Sequence, residues 1–276
     1  MAGNPAARGL ADDAAVLALG AETLVLTHDS MVEGIHWLAE QDMADVAWKL
    51  LAAALSDLAA KGAEPLGVLL SYQLGGDEDA FLRGLEEALR AFDVPLLGGD
   101  TTGSRGPRSF GVTAIGKAGC GSVPDRRGGR AGDVLHVTGV IGRAMLGFEA
   151  LRAGRGDSAP YRRPAPLLKE GRLLAPVVTA MMDVSDGLLL DAQRLALASG
   201  LTIDIDTAAV PVADPSRRDA CLRWGDDYQL LFALPPDCRS PVPAHAIGRL
   251  TEREPAALCL DGLPVDEDDG LGFLHE

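Results

Sequence analysis

Two α/β domains are the fold this sequence predicts, and three observations carry that expectation. Short apolar runs of strand length alternate with helix-like stretches in both halves of the chain. A stretch rich in Gly, Arg and Pro, residues 119–132, interrupts that alternation near the middle. The 276 residues, 47% hydrophobic and 24% charged, suffice for one large core or two ordinary ones and lie far from the disordered class. The division is placed so that residues 1–127 form the N-terminal domain and 128–276 the C-terminal one.

In the first half, residues 24–27 are a short apolar run that closes at Asp29, the pattern of a buried strand delivering a carboxylate at its end. Residues 44–61 read as a helix with Val46, Leu50 and Ala54 on one face. Asp57 stands eleven residues after Val46, about three turns at ~3.6 residues per turn, and so projects from the apolar face. A polar residue near the helix end at Gly62 is the competing account of Asp57. Residues 65–74 read as a strand. Residues 77–92 form an amphipathic helix with Phe81, Leu85, Ala88, Leu89 and Phe92 inward. A third strand, 94–97, ends in Gly98-Gly99-Asp100, and 109–117 alternates like a half-exposed strand.

The second half restarts with a strand at 133–138, a glycine turn at 139–142 and a helix through Leu151. Such a turn can cradle phosphate, but without a Walker lysine or a full GxGxxG, tight-turn geometry is the better reading. Residues 154–172 are expected to be a polar connection that includes a mobile loop. A strand at 177–183, a helix at 187–199, and strands at 201–206, 228–234 and 244–250 follow. Asp261-Gly262 between apolar runs marks a hairpin.

A net charge of −15 makes nucleic acid an unsuitable partner. Cys120, Cys221, Cys238 and Cys259 are widely spaced, which argues against a zinc site or a disulfide framework and for a reducing cytoplasm. No apolar stretch reaches membrane-spanning length, and no signal segment opens the chain, so a cytosolic protein with no membrane partner is expected.

Chemistry concentrates in five aspartate motifs set in apolar or glycine-rich sequence: Asp12-Asp13, Thr27-His28-Asp29, Ser56-Asp57, Gly98-Gly99-Asp100-Thr101-Thr102 and Asp183-Val184-Ser185-Asp186-Gly187. A carboxylate withdrawn from water needs positive charge against it. Few lysines or arginines adjoin these motifs in sequence, so a bound metal is the simplest partner. Hard oxygen donors without a His/Cys cluster favour magnesium, a common companion of phosphorylated substrates. Any one motif could be a helix cap, as Ser185 and Asp186 could be for the helix at Gly187, but capping accounts poorly for the whole set. Arg126, Arg127 and Arg130 form a basic cluster that is either a phosphate clamp or a solvated loop. Metal-supported phosphoryl transfer is the chemistry this inventory permits.

These motifs, with Met31-Val32-Glu33-Gly34-Ile35-His36-Trp37, Lys61-Gly62-Ala63-Glu64-Pro65, Gly225-Asp226-Asp227-Tyr228 and a final Gly272-Phe273-Leu274-His275, occur in the order found in one enzyme family. The chain resembles the bacterial thiamine-monophosphate kinases, members of the superfamily that includes aminoimidazole ribonucleotide synthetase and selenophosphate synthetase. The resemblance implies two α/β domains of the aminoimidazole ribonucleotide synthetase-like kind, the N-terminal one shortened at its start and mediating a homodimer. It implies transfer of the ATP γ-phosphate to thiamine monophosphate, supported by several Mg2+ ions. Asp57, Asp100 and Asp183 would carry the catalytic chemistry. The metal shell would comprise Asp13, Thr27, His28, Asp29, Asp57, Asp100, Asp183 and Asp186. Gly99, Asp100, Arg126 and Ser185 would touch ATP, while His36, Asp226 and Phe273 would touch the thiamine substrate.

Three positions depart from the family pattern: Ala11 replaces a glycine, His28 replaces a small hydroxyl residue, and Asp226 replaces a glutamate one methylene longer. They keep two alternatives in view, another ATP-using enzyme of the superfamily and a catalytically weakened nucleotide-binding regulatory paralogue.

Overall fold

A computed structural model describes residues 3–103, 105–119, 122–266 and 269–274. Cys120 and His275 lie outside the described residues. Two sheets organise the chain. The first comprises β1 (Ala15–Leu19), β2 (Glu22–Val32), β3 (Ala63–Leu74), β4 (Leu96–Gly103) and β5 (Ser109–Ala118), in the order β1-β2-β5-β3-β4. Only β3 and β4 pair in parallel. The second comprises β6 (Val134–Val137), β7 (Ala180–Val184), β8 (Thr202–Ile205), β9 (Gln229–Leu234), β10 (His245–Thr251), β11 (Leu258–Leu260) and β12 (Leu263–Pro264). Its order is β12-β11-β8-β10-β6-β9-β7, and the expected hairpin at Asp261-Gly262 joins β11 to β12.

The helices are α1 (Met43–Ala60), α2 (Glu78–Phe92), α3 (Arg143–Ala153), α4 (Ala159–Arg162), α5 (Leu168–Leu174), α6 (Leu188–Ser199) and α7 (Arg218–Arg223). The central one is α1. Its alanine- and leucine-rich sequence is apolar all round, and every residue except Trp48 and Asp57 is buried. It packs on the first sheet and α2 on one side, and on α5 and β7 on the other. Asp42 caps its start by accepting the Ala44 amide at 2.9 Å.

Three expectations change. Asp29 and Asp100 do not close their strands, because β2 runs on to Val32 and β4 to Gly103. Mostly antiparallel sheets do not gather ligands at carboxyl ends as parallel ones do. The connection over 154–172 is not a mobile loop but holds α4 and α5, pinned to the first half. Arg163 reaches Asp45 at 2.5 Å and Glu87 at 2.8 Å, Arg162 also pairs with Asp45, and the Trp48 indole donates to the Pro164 carbonyl at 2.8 Å. Strand β1 escaped the sequence reading because its five residues are no more than half-buried and show no clear alternation.

Alternation along β2 is strict. Val25, Thr27 and Met31 are buried toward α1, while His28 and Ser30 are exposed on the opposite face.

Candidate functional site

The ridge of α1 that carries Asp57 also carries Lys49, Ala53 and Lys61, each four residues from the next. Lys49 and Lys61 thus stand about 18 Å apart at a ~1.5 Å rise per residue, with Asp57 between them. Around that ridge, ligand oxygens of Asp13, Asp57 and Asp183 lie within 4.8 Å of one another. They come from the segment before β1, from α1 and from the end of β7, so residues from both halves of the chain build the cluster. Thr27 donates its hydroxyl to Asp57, and Ser56 donates to Asp183 at 2.7 Å.

The electrostatics of this cluster are those of a cation site. Burial, then the charges of Asp29, Asp183 and Asp13, push the Asp57 carboxyl well above its ordinary range. Burial, then Asp13, raises Asp183 to about 8. Burial, with Asp13 and Asp186, raises Asp29 to about 6. Burial acts the same way on Asp13, but Lys61 and Arg126 outweigh it and hold that carboxyl below the usual value. Asp13 Oδ2 is buried with no directed hydrogen bond, only the Lys61 ammonium at 2.6 Å as an ion contact. Hard oxygen donors and mutual repulsion among buried carboxylates suit a magnesium ion.

The aspartates are not without protein cations, as their sequence neighbours suggested. Arg8 and Lys61 each pair with Asp12 at 2.5 Å, and Arg126 pairs with Asp13 through Nε at 2.9 Å. Asp12 is therefore a structural ion-pair partner, and Asp13 is the member of the pair that faces the cluster. The basic cluster also divides: Arg126 enters the site, whereas Arg127 pairs with Asp125 at 2.6 Å on the surface.

Asp29, Asp57, Asp183, Ser185 and Asp186 line a cavity of about 490 Å³. The rest of its wall includes the rings of His36, Phe148, Tyr161, Trp224 and Phe273, with Asp226 and Arg223 as its charged members. The strained turns around Asp186 shape it. Gly187 has φ 120, and a side chain at Gly225 or Gly272 would strike the Ser185 or Asp186 carbonyl. The Phe273 amide donates to the Asp186 carbonyl at 2.8 Å, which seats that ring beside His36, 6.3 Å between ring centroids. Ser185 and Asp186 do not cap α6 through their side chains. Instead their amides donate to the buried Asp191 carboxylate at 3.1 Å each. Asp226 is held by Lys49 at 2.8 Å and by the Tyr228 hydroxyl at 3.0 Å. The Lys49 ammonium also lies 3.8 Å from the centre of the Tyr161 ring.

Gly99, Asp100 and His28 are not brought to this cavity. His28 is on the outer face of β2, its Nδ1 2.9 Å from the Thr113 hydroxyl. Register puts Asp100 beside Ser71, and Ser71 beside Gly111 and Ser30, on that same outer face. Edge strand β4 is three strands from β2, about 14 Å at ~4.8 Å per strand. The glycine turn before α3 is likewise occupied from within: Asp227 accepts the Gly142 and Ala144 amides at 2.5 and 3.0 Å, so the turn is no phosphate cradle. Lys49, Lys61, Tyr161 and Trp224 were missed by the sequence reading, although the four-residue spacing of Lys49, Asp57 and Lys61 was there to see.

Comparison with known proteins agrees with this geometry. Residues 11–118 match the AIR synthase related protein N-terminal domain and residues 130–257 the corresponding C-terminal domain. The thiamine-monophosphate kinase of Caulobacter vibrioides is 36% identical over 99% of this chain and 86% of its own length. That of Escherichia coli is 34% identical over 94% and 89%. The solved structure of AaThiL complexed with AMPPCP and TMP aligns with TM-score 0.87 at 27% identity, covering 97% of this chain and 94% of that one. The thiamine-monophosphate kinase from Stenotrophomonas maltophilia aligns with TM-score 0.80 at 32% identity, covering 92% and 90%. With both domains matched and the relatives aligned nearly end to end, this chain belongs to the thiamine-monophosphate kinase family of AIR synthase related proteins.

Proposed function

We propose that this chain transfers the γ-phosphoryl group of ATP to the phosphate of thiamine monophosphate, giving thiamine diphosphate and ADP. The observation that carries the reading is the meeting of Asp13, Asp57 and Asp183 beside a cavity walled by aromatic groups and Asp226. That AaThiL holds AMPPCP and TMP together supports it.

In this reading Asp13, Asp29, Asp57, Asp183 and Asp186 hold magnesium, with Thr27 orienting Asp57 and Ser56 orienting Asp183. Magnesium held by these carboxylates would supply positive charge against the phosphates during transfer. Arg126 and Ser185 contact the triphosphate. Tyr161, Trp224 and Phe273 stack on the flat rings of the thiamine moiety, His36 borders it, and Asp226 faces its positive charge. Positioning of two anionic phosphates does most of the catalytic work.

Gly99, Asp100 and His28 enter through a second copy. Leu69, Leu96 and Leu97 are 40%, 44% and 55% exposed near the β4 edge, an apolar surface that suits a homodimer contact. Residues 1–127 then carry the dimer contacts with Asp13, Asp29, Asp57 and Arg126, and residues 128–276 add Asp183, Ser185 and Asp186 and most of the thiamine pocket. Dependence on ATP places the reaction in the cytoplasm. Among the described residues, no helix is long and apolar enough to cross a membrane.

Purified protein with ATP, magnesium and thiamine monophosphate is expected to form thiamine diphosphate, resolved by chromatography. Release of free phosphate alone, or no product across a range of magnesium concentrations, overturns the proposal.

A further inference from the structure

Lys61 follows the last residue of α1 with its side chain wholly withdrawn from solvent. Its ammonium donates to Asp12 Oδ1 at 2.5 Å and to the Met181 carbonyl at 3.1 Å, and stands 2.6 Å from Asp13 Oδ2 as an ion contact. Three oxygens thus surround a group with three N–H bonds. The second oxygen of Asp12 is taken by Arg8, and the second oxygen of Asp13 by Arg126. Both carboxylates are as inaccessible as the lysine. Lys61 is thus no solvated surface charge borrowed by the site; it is packed between α1 and β7 at the rear of the carboxylate cluster.

Asp13 is shared between this lysine and the cluster it forms with Asp57 and Asp183. A metal ion that used Asp13 Oδ2 would have to stand beside the ammonium, and two cations on one buried oxygen repel strongly where water is absent. We infer that Lys61 is a resident cation of the metal cluster: it fills one cation position, keeps Asp12 and Asp13 Oδ2 from magnesium, and so weakens metal binding until a nucleotide brings its own negative charge. The inference rests on the magnesium-binding reading of the site. It makes Lys61 a positioning residue, acting through Asp13 on the ions that support transfer.

Arg126 does not serve this purpose equally. Its side chain is 17% exposed and can leave Asp13 for another anion, whereas the Lys61 side chain is fully buried. The two cations therefore divide the roles of exchangeable and permanent partner on the two oxygens of one carboxylate.

The test is magnesium binding by isothermal titration calorimetry, with neither nucleotide nor thiamine monophosphate present. Lys61→Met keeps the unbranched length and removes the charge. It is expected to bind magnesium at least tenfold more tightly than the parent chain, or to take up one additional ion, and to melt lower in chelator with recovery on adding magnesium. The double variant Lys61→Met with Asp12→Asn removes one positive and one negative charge, which keeps the local balance should the single variant not fold without metal. It is expected to gain magnesium binding in the same direction. Magnesium affinity and stoichiometry equal to the parent in either folded variant overturn the inference. An inactive parent chain whose Lys61→Met variant nevertheless gains metal would count against the kinase reading alone.

Discussion

The Ser56 hydroxyl donates to Asp183 Oδ2 at 2.7 Å, joining α1 of the first half to β7 of the second inside the protein. The contact locks the carboxylate of one half onto a helix of the other, so the carboxylate cluster and the packing of the two halves share a bond. Ser56→Ala leaves that oxygen without its donor and is expected to cost about 1–3 kcal/mol of stability. The melting temperature in chelator should fall by several degrees, and added magnesium should restore part of the loss.

Asp57→Asn tests the cluster itself. Burial and the neighbouring carboxylates push the Asp57 carboxyl up when no metal is present, which favours its neutral form, so the amide is a close replacement. Kinase activity should drop by roughly 10²–10³-fold, the scale for removing one electrostatic support of a transition state. Stability in chelator should hold or rise. Ready unfolding, with turnover per folded molecule retained, would make Asp57 structural.

The pH dependence has a definite sign. Asp183 rises from an ordinary carboxyl value to about 8, so the folded metal-free chain binds more protons than the unfolded one between about pH 4 and pH 8. Its stabilising contribution is complete below that window and is lost as pH rises through it. Magnesium binding needs the ionised form, so affinity should strengthen with rising pH over the same range, with proton release on binding. Calorimetry in buffers of different ionisation enthalpy measures that release. Asp183→Asn should flatten the chelator melting curve between pH 6 and pH 8.

Lys49 separates substrate binding from chemistry. It holds Asp226 at 2.8 Å and contacts the Tyr161 ring, both on the thiamine side of the cavity. Lys49→Met is expected to raise KM for thiamine monophosphate about tenfold, equivalent to ~1.4 kcal/mol, with KM for ATP unmoved. Equal changes in both constants would point to a general loss of structure.

The outer face of the first sheet makes a prediction about copies. Leu97→Asp should shift the protein to monomer in sedimentation experiments and abolish activity. Asp57→Asn and Asp100→Asn chains, each inactive alone, should regain activity when mixed and allowed to exchange. Failure of the mixture, with exchange demonstrated, removes Asp100 from the site.

Much of the architecture was legible in the residues. The apolar run ending at Asp57 announced α1, the alternation at 109–117 announced β5, and Asp261-Gly262 announced the last hairpin. The sequence reading put Thr27, His28 and Asp29 in one metal shell, although neighbours on a strand face opposite ways and His28 turns to the outer face. The ion-pair partners could not be read. Lys61 is 49 residues from Asp12, and Arg126 is 113 from Asp13, separations at which sequence carries no distance information.

The sequence by itself determined the two α/β halves and the family and singled out the aspartate motifs, because local periodicity and an ordered set of motifs are properties of the chain. Tertiary structure decided which of those aspartates meet. Packing α1 against both sheets gathers Asp13, Asp57 and Asp183 around one ridge, ties Asp12 to Arg8 and Lys61, and leaves Asp100 across the sheet. The physical reason is burial. Carboxylates forced together away from water must be matched by cations, and only the folded chain shows that lysine and arginine supply part of that charge at the cluster.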